Sequence, residues 1–143
     1  MYLISHRGNI NGIQKSKEND PNYINKAIES GFDVEVDVRY TGSKFFLGHD
    51  NDQYEIDKDF LLNEKIWCHA KTNTALSALH EIGAHYFWHQ EDDYTLTSKN
   101  YIWAYPGKHV IPVKKSIAVM PEIYNNNIKN FSGICSDYSE NYK

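Results

Sequence analysis

The clearest signal in the chain is an alternation. From position 33 to 39 the residues read Asp-Val-Glu-Val-Asp-Val-Arg, with Val34, Val36 and Val38 on one parity and Asp33, Glu35, Asp37 and Arg39 on the other. A period of two marks a strand with one apolar and one polar face. The pattern predicts a strand over 32–39, a turn at Thr41-Gly42-Ser43 and a return strand over 44–48. Helical spacing takes over in two places. Tyr23, Ile24, Ala27 and Ile28 share a face behind an Asp20 cap and Pro21, with Gly31 as the closing residue. Ala75, Leu76, Leu79 and Ile82 do the same behind Thr72 or Asn73, closed by Gly83. Short apolar runs predict further strands over 2–5, 66–70, 85–89, 101–105, 116–120 and 133–136, with a brief extended piece over 96–98. The stretch 51–64 is charged and mixed, anchored by Phe60-Leu61-Leu62.

Strands and helices alternate early in the chain, which implies a parallel α/β arrangement. Later connections are too short for full crossover helices. The expected fold is a single domain over 1–143, a compact TIM-barrel-like (β/α) barrel with several outer helices shortened or missing. Functional groups recur at the ends of the expected strands: His6-Arg7, Glu35 and Asp37, His69 and Lys71, and His89. That is the end where α/β barrels place active sites.

Composition and charge narrow the function classes. A net charge of -4 argues against a general nucleic-acid binder. No apolar run is long enough to span a bilayer. Met1-Tyr2-Leu3-Ile4 is too short for a secretion signal, and no basic segment precedes it. Cys68 and Cys135 lie far apart in apolar, strand-like stretches with no zinc spacing. They read as two buried, reduced thiols in a cytoplasmic protein.

Glu35 and Asp37 are same-face neighbours about 7 Å apart along one strand. Two carboxylates so placed repel unless a cation sits between them or one takes up a proton. Oxygen ligands alone favour magnesium or calcium. If His69 joins them, the site gains a nitrogen and tilts toward manganese or zinc.

These residues resemble the glycerophosphodiester phosphodiesterase family, within the phosphatidylinositol-phospholipase-C-like phosphodiesterases. The resemblance rests on His6-Arg7-Gly8 after the first strand, Glu18-Asn19 before the first helix, Glu35-Val36-Asp37 on the second strand and His49-Asp50 after a hairpin. It covers about the first third of the chain, and Gly133-Ile134-Cys135-Ser136-Asp137 looks like the family's last strand. One departure stands out: where the family usually carries an acid two residues before a lysine, this chain has His69-Ala70-Lys71. Family barrels are also much longer.

The resemblance implies metal-dependent hydrolysis of a small phosphodiester, with His6 and His49 as the acid–base pair. Arg7 and Lys71 are expected on the phosphate, and Glu35, Asp37 and His69 on one divalent cation. The trimmed length and the missing acid keep a second expectation open: a non-catalytic relative that binds a phosphorylated ligand in the same pocket. His80, His85 and His109 carry no expected chemistry, and His89 is a candidate for the pocket wall. Tyr101, Trp103 and Tyr105 are expected to pack the core and rim.

Overall fold

The computed structural model describes residues 1–108 and 114–143; His109 lies outside the described residues. Two helices form where the helical spacing predicts them. α1 is Pro21–Glu29, capped by Asp20, whose side chain accepts from the Asn22 N–H at 2.8 Å. α3 is Asn73–Ile82, capped by Thr72 and closed by Gly83 at a left-handed φ of 73°. Between them Lys58–Leu61 makes a single turn, α2, under an Asp57 cap. It buries Leu61 completely, which explains the apolar anchor in that charged stretch.

The strands are β1 (Tyr2–His6), β2 (Asp33–Thr41), β3 (Lys44–Leu47), β4 (Tyr54–Ile56), β5 (Ile66–Ala70), β6 (Tyr86–Trp88), β7 (Tyr94–Leu96), β8 (Ile102–Ala104), β9 (Ser116–Val119) and β10 (Gly133–Ser136). β6, β5, β2, β1, β10, β9 and β8 lie side by side and parallel. β3, β4 and β7 pair antiparallel. The sheet curls until β6 and β7 approach. Thr95 Oγ1 donates to the Trp88 carbonyl at 2.7 Å and the Ser98 N–H to the Tyr86 carbonyl at 2.7 Å, but no ladder joins the two strands among the described residues.

This corrects the expected barrel. The molecule is a curled, mixed sheet with short helices, not a helix-rich (β/α) barrel. Two physical reasons are visible. The β6–β7–β8 passage reverses direction instead of crossing over, because β7 pairs antiparallel to β8. The outer face of β8, β9 and β10 is also covered without an α-helix: Ala104, Ala118 and Ile134 pack under Phe131, with Ile128 and Tyr142, from a short 3-10 turn over Ser139–Tyr142, alongside. Small residues on the strands leave room for loops to close that face.

The apolar parity of β2 does what its pattern requires. Val34, Val36 and Val38 are fully buried against Ile24, Ala27 and Leu79 of the helices. The opposite parity turns into the curl of the sheet. There Ile4, Trp67, Phe87, Trp103, Ile117 and Cys135 form a second core. Asp33, at the N-terminal end of β2, accepts from the Trp67 indole N–H at 2.9 Å. Glu35 and Asp37 follow toward the C-terminal end, both buried. No helix among the described residues is long and apolar enough to cross a membrane.

Candidate metal and phosphate site

The register of β2 assembles the site. β5 occupies one edge of β2 over Val34 to Val38. β1 and β3 must therefore share the other edge, β1 opposite Asp33 to Glu35 and β3 opposite Val38 to Thr41. The two run head to head and end facing one another. His6 sits at the end of β1 opposite Glu35, and His49 follows the end of β3, where the Gly48 N–H donates to the Asp37 carbonyl at 3.0 Å. On the other edge, Asp37 is paired with His69. His6, Arg7, Glu35, His49, His69 and Lys71 thus line one cavity of about 80 Å³, closed by Trp103, Tyr105 and Val119. Asp37 lies fully buried beside it.

Glu35, Asp37 and His69 each bring one ligand atom to within 4.8 Å of the others. His69 Nδ1 is 3.6 Å from Glu35 Oε1 and 3.6 Å from Asp37 Oδ1, too far for a hydrogen bond to either. Its Nε2 lies 3.1 Å from the His89 carbonyl, which only an N–H can satisfy. Nδ1 is then the bare nitrogen, aimed at the carboxylates. An outer carbonyl that fixes the tautomer in this way is the usual support of a metal-binding imidazole. Glu35 Oε2 and Asp37 Oδ1 are buried and have no hydrogen-bond partner. Unpaired buried carboxylate oxygens are costly, and a bare imidazole nitrogen beside them completes a donor set that fits a divalent cation.

The other oxygen of Asp37 is occupied. Oδ2 accepts from Asn19 Nδ2 at 2.9 Å and pairs with Arg7 Nε at 2.8 Å. Burial alone would raise the Asp37 pKa, but Arg7 first, then the Asn19 hydrogen bond and Lys71, hold it below the ordinary carboxylate value. Arg7 also donates to Glu18 at 3.1 Å. Its backbone is left-handed, with φ of 56°, a conformation that costs a non-glycine residue about 1 kcal/mol or more. The adjoining Gly8 has φ of 93°, and a Cβ there would sit 2.7 Å from the Tyr23 ring. This turn aims the guanidinium back over β2.

His6 is oriented from behind. Asp137, just past β10, accepts from His6 Nδ1 at 2.8 Å, leaving Nε2 toward the cavity, 3.7 Å from Glu35 Oε2. Burial would lower the His6 pKa, but the Asp137 hydrogen bond and the Glu35 charge outweigh it, so the net shift is upward. Asn9 donates to Asp137 at 2.8 Å and to Glu18 at 3.1 Å, tying the supports of His6 and Arg7 into one network. His49 is less confined: its side chain is 44% exposed and its Nδ1 lies 2.7 Å from Asp50. Its backbone is fastened by Arg39, which donates to the Gly48 carbonyl at 3.0 Å and the His49 carbonyl at 2.7 Å.

All seven expected site residues converge on this place, six on the cavity and Asp37 beside it. Glu18 and Asn19 have supporting roles, on Arg7 and on Asp37. Sequence reasoning assigned no role to Asp137, Asn9 or Arg39. Asp137 had a signal, since it follows directly on a strand as Arg7 and Lys71 do; Asn9 and Arg39 act through contacts that no spacing announces. Trp103 and Tyr105, expected to pack the core and rim, both line the cavity, and Tyr101 and Trp103 pack on Trp67. No family model, curated protein or solved structure matches the chain.

Proposed function

We propose that this protein hydrolyses a small phosphodiester with the help of one divalent cation, as the resemblance to glycerophosphodiester phosphodiesterases implies, and that it does so in the cytoplasm. The observation that carries the reading is that Glu35 Oε1 and the buried Asp37 Oδ1 each lie 3.6 Å from the bare Nδ1 of His69, with Asp37 Oδ1 and the other Glu35 oxygen, Oε2, left without a hydrogen bond. With two oxygens and one nitrogen, the donor set favours manganese or zinc over magnesium or calcium. A cation held there would supply Lewis-acid stabilisation of charge on the phosphoryl oxygens.

The remaining chemistry belongs to side chains. His6 takes a proton at Nε2 from the attacking oxygen while Asp137 steadies the resulting imidazolium. His49, on the opposite side of the strand gap, gives a proton to the leaving oxygen as its bond to phosphorus breaks. Lys71 and the outer edge of Arg7 bind the non-bridging oxygens. Paired with Glu18 and Asp37, Arg7 is positioned in advance, which lowers the ordering cost of binding.

One observation favours a second reading, a cation-free pocket that binds a phosphorylated ligand without turnover. Lys71 Nζ is 4.0 Å from Asp37 Oδ1, and together with Arg7 and a protonated His69 it would neutralise the carboxylates. Hydrolysis of bis-p-nitrophenyl phosphate with magnesium, calcium, manganese or zinc, against a chelator control, separates the two. Turnover that depends on the metal and is lost in Glu35→Gln supports the enzyme. Phosphate-ester binding with no turnover under any ion supports the binding module.

A further inference from the structure

A second cavity, of about 310 Å³, opens directly off the first. His49, His69, Lys71 and Tyr105 line both. Its far wall is Trp88, His89 and Gln90, from β6 and the turn after it. A diester has two substituents on phosphorus. A phosphoryl group among His6, Arg7 and Glu35 would direct one of them past His49 and Lys71 into this second space.

Resting on the phosphodiesterase reading, we propose that this cavity is the alcohol pocket of the site, and that it takes a small, hydroxyl-bearing alcohol that is neutral or anionic. Three observations carry this. The first is size: the volume equals about ten waters at ~30 Å³ each, enough for a polyol ring or chain. The second is charge. Lys71 stands in the wall, and no carboxylate is among the lining residues. Glu91 and Asp92 face a separate open cleft with Gln90. A quaternary ammonium would therefore find no carboxylate in the wall to pair with, beside a lysine whose nearest carboxylate, Asp37, is buried 4.0 Å away. The third is rigidity. The His89 ring stacks on Tyr105 with centroids 3.8 Å apart and planes 7° apart, and its Nε2 lies 2.5 Å from the Asp92 carbonyl. His89 also holds His69 through its own carbonyl. The wall that meets the alcohol is thus continuous with the support of the metal-ligating imidazole. Gln90, exposed at the mouth, offers both a donor and an acceptor to hydroxyl groups.

The test compares glycerophosphoinositol with glycerophosphocholine as substrates, with bis-p-nitrophenyl phosphate as the reference diester. Calorimetric binding of inositol 1-phosphate and phosphocholine gives a readout independent of turnover. The expected result is a preference of about tenfold or more for the inositol compounds in kcat/KM and in affinity. Gln90→Glu, which adds a carboxylate at the mouth, should narrow that preference. Equal or reversed selectivity while bis-p-nitrophenyl phosphate is cleaved overturns the pocket assignment and leaves the phosphodiesterase reading standing. No cleavage of any diester, with inositol 1-phosphate still bound more tightly than phosphocholine, keeps the pocket and removes the enzymatic reading. Failure to bind either phosphate ester overturns the pocket.

Discussion

Glu35→Gln should stabilise the metal-free protein and abolish its response to metal. Glu35 Oε2 has no hydrogen-bond partner, and the nearest basic nitrogens, on His6 and His69, are 3.7 and 3.6 Å from its oxygens. Removing its charge therefore breaks no strong contact. It does remove repulsion: the candidate ligand oxygens of Glu35 and Asp37 lie no more than 4.8 Å apart. Two unit charges at that distance repel by about 3.5 kcal/mol at an effective dielectric of ~20. Arg7 and Lys71 offset part of this, leaving roughly 1–2 kcal/mol, or about 3–6 °C in Tm for a chain of this size. Asp37→Asn should do the reverse. It disturbs the Arg7 pair and the bond from Asn19, and breaking a buried pair costs about 3–5 kcal/mol. The assay is thermal unfolding in chelator and then in manganese or zinc. At a metal concentration ~1,000 times Kd the wild type should gain about 4 kcal/mol and Glu35→Gln nothing. If Glu35→Gln melts as low as Asp37→Asn in chelator, or keeps the metal shift, Glu35 is a structural residue and the metal site is wrong.

Further outcomes follow from the same geometry. His6→Ala and His49→Ala should each lower turnover by about 10²-fold or more, and near-normal turnover in either removes that histidine from the mechanism. Asp137→Asn should move the acidic limb of the rate profile to lower pH, because Asp137 raises the His6 pKa; an unmoved limb means His6 is not the base. His69→Glu should shift metal preference toward magnesium or calcium, read by titration calorimetry. His85, buried beside Thr97 and near the charge of Lys99, has its pKa pushed down to about 4 from 6.5, so it stays neutral in the fold while the unfolded chain takes up a proton. Its contribution of about 3 kcal/mol is present above pH ~6.5 and lost as pH falls toward ~4; His85→Gln should flatten that part of the stability profile.

The sequence revealed local order well and closure poorly. The Asp20-Pro21 and Thr72 starts and the Gly31 and Gly83 stops lie in α1 and α3 as read, because caps are satisfied within a few residues. The β2 alternation placed Val34, Val36 and Val38 under the helices and Glu35 and Asp37 inside the curl, because parity decides a strand residue's face. β4 gave no signal: Tyr54-Glu55-Ile56 is too short to show a period and is held by its pairing with β3. The antiparallel turn of β7 was equally hidden. It depends on how Tyr94 to Leu96 pairs with Ile102 to Ala104, and an extended piece has the same pattern in either direction. The barrel expectation failed there, since strand order and direction are set by long-range pairing. The expected site residues still lie together because most sit on or just past β1, β2 and β5, and His49 just past β3 of the β2–β3 hairpin, pairings that are independent of what closes the far side.

The absence of a full helical wall also says what holds the site rigid. Loops at strand ends ordinarily borrow their order from packed elements. Here buried and half-buried polar side chains do much of that work: Asn9 joins Asp137 to Glu18, Asn19 clasps Asp37 through both side chain and backbone, and Arg39 pins the carbonyls of Gly48 and His49. Charge-assisted bonds of this kind are worth about 1.5–3 kcal/mol each, comparable to burying a large apolar side chain. The His49 turn adds a steric lock. A Cβ on Gly48 would lie 1.9 Å from the Asn51 carbonyl oxygen, so the chain must be bare there for the loop to fold back onto β3. His6 and His49 stay on opposite sides of one gap because β1 and β3 end against the same edge of β2, and Arg39 and Gly48 keep the β3 side from drifting. A curled sheet with few helices can thus hold the two histidines and the ligand set in place, since the parts that set their separation are backbone register and short polar bonds, not the outer layer.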